Sequence, residues 1–371
     1  MTVQPADSTF CWMVDVFLDN NIKIGEDSET HLLWFLPSDQ LQVGWNPHVK
    51  KLEEKYKEYP NIKFFYFEDK EDILNNYIGK INYIPLLRPY CLREHFNNNP
   101  HLSKEAIFYC DCDILFTKKF PFEKYLEDDT CYLSNTASYL NLAYLEGKIE
   151  QSDKKEFLRK ESVVERLATQ LGISRDIIVK NDEGTGGAQY LLKNIGGNFW
   201  NDVFEACLII RPYLQRINRK YFASESAGYQ SWCADMWAVL YMLWKREYKT
   251  ECPKDFDFAW ATSPISLIDE VYIMHNAGVT GKTMEMNGET AIMFFKGLYS
   301  GREMVNLIMP DGGVARLPDG KVIHLPAGSE ALKRNCVTPF IDKQYLESVS
   351  SLYATRFYAN ALLNVTNPIV N

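Results

Sequence analysis

Apolar runs alternate with amphipathic stretches over the first third of the chain. Phe10–Leu18 (FCWMVDVFL) is apolar and rich in β-formers, and it predicts a strand. His31–Pro37 (HLLWFLP) predicts a second strand and Asn61–Phe67 (NIKFFYF) a third. Between these two, Asn46–Tyr59 carries its charges at helical spacing. A helix is predicted over Pro85–Phe96 (PLLRPYCLREHF). A strand is predicted over Ala106–Phe116 (AIFYCDCDILF), its apolar run broken only by two aspartates. Strands that alternate with helices imply an α/β layered sheet. Near-continuous apolar strands imply a sheet covered on both faces, and ligands of such sheets sit at the carboxyl ends of the strands.

The middle of the chain is mostly helical in pattern. Lys154–Leu171 is amphipathic, Asn181–Gly187 (NDEGTGG) reads as a turn-rich loop, and an ordered element resumes over Ala188–Lys193. Helices are predicted over Asn198–Gln215 and over Tyr229–Lys245 (YQSWCADMWAVLYMLWK). The second is apolar nearly all round, so it should be buried. Phe256–Ala261 and Val271–Met274 read as short strands. Pro-Asp-Gly occurs at 310–312 and 318–320 and marks one or two hairpins within Asn306–Pro326. Phe340–Leu363 reads as a helical tail. Residues 1–300 are thus expected to form the catalytic domain, and residues 301–371 a small C-terminal appendage or lid.

Composition adds bounds. The 371 residues suit one large domain, or one domain with an appendage. Hydrophobic residues at 46% and charged residues at 24% imply a sizeable core. The net charge of −9 argues against broad nonspecific affinity for nucleic acid. Nine scattered cysteines, an odd number, suggest no disulfide framework and point to a reducing cytoplasm. The first residues lack a basic stretch followed by a long apolar run, and no run nears the ~18 apolar residues of a membrane span. A cytoplasmic protein with no membrane span is expected.

The chemistry centres on Asp111-Cys112-Asp113. Two carboxylates on one face of a strand repel unless a positive charge sits between them. A divalent cation with a taste for hard oxygen ligands, Mg²⁺ or Mn²⁺, answers that need. Far downstream, His275 ends an apolar strand in VYIMHNAGVT, and a neutral imidazole is a suitable further ligand for Mn²⁺. Gly278 would let backbone approach a phosphate closely. Asp235 interrupts an apolar helix, where an unpaired acid is costly, and is a candidate base, nucleophile or charge stabiliser.

A strand that ends in Asp-x-Asp, followed much later by a strand that ends in His-x-x-Gly, resembles the nucleotide-sugar glycosyltransferases of the glycosyltransferase-A fold, most closely those of the family 8 kind. The resemblance implies a Rossmann-like mixed sheet flanked by helices over roughly residues 10–300. It implies Asp111, Asp113 and His275 as ligands of Mn²⁺ or Mg²⁺, which carries the diphosphate of a nucleoside-diphosphate sugar, in all expectation a UDP-sugar. The family continues its late motif to Lys-Pro-Trp. This chain has no such triplet close behind Gly278, so Lys282 or Lys296 is expected to take the lysine's place. Arg88, in YIPLLRPY, is placed to serve the nucleotide side. Asp182, Gly186, Gly187 and Gln189, in DEGTGGAQ, occupy the place of the family's donor-sugar and acceptor loop, with Gln189 beside Asp235 as a candidate catalytic residue.

The acceptor is a glycan or small molecule in this reading. GGAQYLLKN, WCADMWA and HNAGV also resemble predicted glycosyltransferases of tailed phages, which makes a hydroxymethylated DNA base the alternative acceptor. Such an enzyme must expose its base and needs a basic cleft. A haloacid-dehalogenase-type phosphatase also uses Asp-x-Asp, but Leu115 stands where that motif has Thr or Val. A metal-dependent nucleotidyltransferase and a noncatalytic sugar-nucleotide binder are the remaining alternatives. The late histidine argues against the first, and the intact triad against the second.

Overall fold

The computed structural model describes residues 1–36, 47–299 and 343–365, together with four strands between the last two segments. Three strands pair in parallel: β1 (Thr2–Pro5), β2 (Thr30–Leu36) and β3 (Ile62–Glu68). Four more form a mixed group in the order β4 (Ile107–Tyr109), β7 (Gly186–Leu192), β6 (Cys131–Asn135), β8 (Thr250–Glu251). The two groups meet where the Cys110 amide donates to the Met1 carbonyl at 3.1 Å. A third group comprises β5 (Ile114–Phe116), β10 (Ile273–His275) and β9 (Phe258–Trp260). Helices cover both faces, giving the mixed α/β layering expected.

The periodicity of β2 shows why. Leu33 and Phe35 join one buried cluster, with the helices Leu87–Asn98, Gly197–Tyr221 and Ala234–Lys245. Leu32, Trp34 and Leu36 join another, with the helix Ser8–Lys23. Alternate residues point to opposite faces, so a strand apolar at every position lies between two cores. As expected, Ala234–Lys245 is buried along almost its whole length.

Four expected elements take another form. Phe10–Leu18 lies inside the helix Ser8–Lys23, not a strand: Asp7 caps it by accepting from the amides of Thr9 and Phe10 at 2.8 and 3.2 Å. A short apolar run does not by itself distinguish a strand from a buried helix. Lys154–Leu171 is two helices, Lys155–Glu161 and Val163–Leu171, broken at Ser162, whose φ is +47°. Tyr229–Lys245 becomes helical in earnest only at Ala234. Ala106–Phe116 is divided between β4 and β5, which belong to different sheets.

Beyond β10, β11 (Thr283–Met286) and β12 (Glu289–Ile292) form a hairpin. Of the distal strands, β13 (Met304–Met309) pairs with β16 (Ser329–Arg334), and β14 (Gly313–Arg316) with β15 (Val322–Leu325), all antiparallel. The two Pro-Asp-Gly triplets themselves lie outside the described residues. The helices Lys343–Ser348 and Thr355–Leu363 pack into the second core, where Tyr345, Leu346, Tyr358 and Ala359 are buried with Trp12 and Phe294. Among the described residues no helix is long and apolar enough to cross a membrane.

A histidine pair lies between the first sheet and the helix Leu87–Asn98. His95 Nε2 lies 2.8 Å from His31 Nδ1, with the rings of Phe65 and Phe67 around it. Burial, reinforced by the His31 ring, lowers the His95 pKa to about 3, and burial lowers that of His31. The unfolded chain takes up these protons near the ordinary histidine pKa of about 6.5. Their contribution to stability is therefore complete above that pH and is lost as pH falls, for His95 down to about 3. The unfolding free energy should decline below about pH 6.5 by up to about 1.4 kcal/mol per pH unit for each histidine. His95→Gln should flatten that decline in denaturant titrations run at several pH values.

Candidate functional site

Residues 110–113 connect β4 to β5 and carry both aspartates. A turn, rather than alternation along one strand, brings their carboxylates together. The pairing of β5 with β10 supplies the third member. It is antiparallel, with Ile114 opposite His275, and the Asn276 amide donates to the Asp113 carbonyl at 3.0 Å. One carboxylate oxygen each of Asp111 and Asp113 and one ring nitrogen of His275 lie within 4.8 Å of one another. His275 Nε2 is 3.3 Å from Asp113 Oδ1 and 3.7 Å from Asp111 Oδ2.

Two helix starts face this turn. Arg88, in the first turn of Leu87–Asn98, places Nη2 2.6 Å from Asp111 Oδ1 and Nη1 2.9 Å from Asp235 Oδ2. A cation at a helix N-terminus opposes the helix dipole, so the two carboxylates hold it against that tendency. Asp235, in the first turn of Ala234–Lys245, has the favourable sign there. Its Oδ1 accepts from the Tyr83 hydroxyl at 2.6 Å, and its amide donates back to that oxygen at 2.8 Å. Lys296 donates to Asp113 Oδ2.

The carboxylates do not titrate alike. Burial raises the Asp111 pKa; Arg88 opposes this and the charge of Asp113 reinforces it. Burial would raise Asp113 too, but Lys296 and His275 outweigh it and hold the carboxyl well below its usual range. Arg88 and Lys296 keep their protons more firmly than usual despite burial, because Asp111 and Asp113 face them.

The His275 ring is held on three sides. Trp260 stacks on it with centroids 5.9 Å apart and planes 16° apart, Phe258 sits at 5.7 Å, and Gln189 Nε2 lies 3.1 Å from Nδ1. Gln189 was expected to approach a sugar. The structure places it fully buried behind His275. Asn276, which follows His275, is also buried, and neither atom of its side-chain amide has a partner among the described residues.

The other expected residues are dispersed. Asp182 caps a local turn: its Oδ1 accepts from the Leu142 amide at 2.8 Å and from the Thr185 hydroxyl at 3.3 Å. At Gly186 a Cβ would lie 2.6 Å from both the Ser134 carbonyl and Cys252 Sγ, so this glycine serves close strand packing. Gly187 is likewise enclosed, by Met236, Tyr190 and Leu140. Gly278, with φ +86°, faces open space, a conformation that disfavours any side chain. Lys282 lies over the Tyr345 ring at 5.1 Å rather than at the triad. Tyr83 and Asn276 were missed: a tyrosine two residues before a proline and an asparagine after a histidine carry no distinctive spacing.

No protein-family model matches the chain, and no curated protein sequence does. Two solved structures of LgtC overlap it. An active-site mutant of LgtC is 12% identical, with 76% of this chain and 88% of that chain covered and a TM-score of 0.41. The galactosyltransferase LgtC in complex with donor and acceptor sugar analogs is 12% identical, with 75% and 87% covered and a TM-score of 0.38.

Arg88→Met leaves Asp111 and Asp235 without their shared cation. It should cost about 3 kcal/mol, the order found when one partner of a buried pair is removed. Adding Asp235→Asn should recover part of that loss, as a double-mutant cycle in urea would measure.

Proposed function

We propose that this chain is a metal-dependent glycosyltransferase of the glycosyltransferase-A type. In this reading it moves a sugar from a nucleoside-diphosphate sugar, a UDP-sugar, to a hydroxyl of a glycan or small molecule. The charge at the triad carries the reading. Among the described residues three carboxylates, Asp111, Asp113 and Asp235, face two cations, Arg88 and Lys296, which leaves a net charge of −1. A site of that sign repels a diphosphate. One divalent cation reverses the sign, and two carboxylate oxygens with one imidazole nitrogen are a donor set suited to Mn²⁺ or Mg²⁺. The unpaired amide of buried Asn276 beside the triad agrees with a site built for a polar ligand.

Asp111, Asp113 and His275 would hold the cation, which when bound neutralises the departing diphosphate. Arg88 stays on the nucleotide side, anchored between Asp111 and Asp235. Lys296 exchanges its carboxylate for a phosphate oxygen, since Asp113 is the partner it shares with the cation. Both oxygens of Asp235 are engaged, by Tyr83 and Arg88, so its part in this reading is to fix Arg88. Gly278 leaves the late loop open to a phosphate.

The acceptor side favours a glycan. Trp260 lines a cavity of 390 Å³ together with Asn135, Ser138, Lys254, Asp257 and Glu270. An aromatic series runs outward from it: Tyr139 is 6.2 Å from Trp260, and Trp232, 56% exposed, stacks on Tyr139 at 6.4 Å. Aromatic faces with amides and carboxylates suit a pyranose. Two carboxylates against one lysine do not suit the phosphates of DNA.

A UDP-sugar should raise the melting temperature only when Mn²⁺ is present. At about 100 times its Kd the stabilisation is about 2.7 kcal/mol, several degrees in a thermal-shift assay. Asp113→Ala should abolish it, and an undiminished metal-dependent shift in that variant would sink the reading. Trp232→Ala should raise the acceptor KM about tenfold, the worth of one aromatic stack, in assays of transfer to oligosaccharides.

A further inference from the structure

We propose that Gln189 is a positioning residue that selects the tautomer of His275, turning its side-chain amide over when a divalent cation enters the triad. The inference rests on the metal-binding role of His275 given above. Four observations carry it. Gln189 Nε2 lies 3.1 Å from His275 Nδ1, so in this state the amide donates to Nδ1 and the ring proton resides on Nε2, towards Asp113 and Asp111. That is the right tautomer for a ring facing two carboxylates and the wrong one for a ligand, because Nε2 then has no free lone pair. Gln189 Oε1 is buried and has no hydrogen-bond partner among the described residues. Finally, Trp260 stacked on the ring and Phe258 beside it hold the imidazole plane, so His275 cannot exchange its nitrogens by rotating.

The two ends of an amide have nearly the same shape, so half a turn brings Oε1 to the place of Nε2. Oε1 then accepts from Nδ1–H, its missing partner is supplied, and the Nε2 lone pair is free to face the cation. The turn leaves one amide end unpaired as before, so the gain comes from the cation, which takes up the His275 Nε2 lone pair; the proton lost from Nε2 is balanced by the one Nδ1 acquires. A histidine ligand whose second nitrogen is held in this way binds its metal more firmly. Gln189 touches neither diphosphate nor sugar in this scheme.

The test uses the full chain and Mg²⁺, at one pH. Nitrogen-15 spectra of the His275 ring should show the proton on Nε2 without the cation and on Nδ1 with it. Gln189→Met, which keeps the shape and removes both hydrogen-bonding ends, should weaken Mg²⁺ and Mn²⁺ binding ~10- to 100-fold in calorimetry. Its cation-free spectrum should show both tautomers. A purely structural glutamine would leave the tautomer unchanged on cation binding, and that result overturns the proposal. So does wild-type metal affinity in Gln189→Met. If that variant fails to fold, the wild-type spectra decide alone. If the wild-type chain binds neither cation, the metal reading itself falls, and the tautomer proposal with it. If it binds them with its ring proton on Nε2 throughout, only the tautomer proposal falls.

Discussion

The pairing of β5 with β10 is the constraint on which the site depends. It sets Ile114 against His275, so the imidazole arrives beside the residue just before Ile114, which is Asp113. A slip of one residue would send the ring to the opposite face of the strand and leave buried Asp113 and half-buried Asp111 without it. The bond from the Asn276 amide to the Asp113 carbonyl extends the pairing one step into the turn. The second core keeps it in place: Ile114, Leu115, Phe116, Ile273 and Met274 are all deeply buried.

Around that register the protein gathers charges that could not stand apart. Arg88 at one helix start and Asp235 at another meet across the turn, and Tyr83 secures the second by two hydrogen bonds. Burial magnifies each interaction, and it also makes each unpaired group expensive. This explains why the carboxylates diverge, Asp111 held up and Asp113 held down, although only one residue separates them. The difference lies in their partners: Arg88 shares itself with Asp235, whereas Lys296 and His275 both turn to Asp113.

The aromatic residues have a double part. Trp260 supports the His275 ring with one contact and lines an open cavity with another. One side chain therefore both supports the His275 ring and shapes the cavity beside it. Beyond it Tyr139 is buried, and Trp232, stacked on Tyr139, is exposed.

The sequence by itself determined the layered α/β class, because strands apolar at every position must be covered on both faces. It also singled out Asp111, Asp113 and His275, by resemblance to a family's Asp-x-Asp and His-x-x-Gly rather than by spacing alone, and the structure sets these three side chains within 4.8 Å of one another. It misjudged Phe10–Leu18, where a run apolar on all sides satisfies either period and one cap, Asp7, settles the matter. It joined β4 to β5, because hydrophobicity continues through Cys110 and Cys112 while the hydrogen bonds pass to another sheet. Only the tertiary structure decided the rest: that Gln189 lies behind His275 rather than before a sugar, that Gly186 serves strand packing, and that Arg88 joins Asp111 to Asp235. Those are relations between residues 23 to 147 positions apart, and no local pattern records them, because side-chain partnership across a fold follows from packing and register rather than from spacing along the chain.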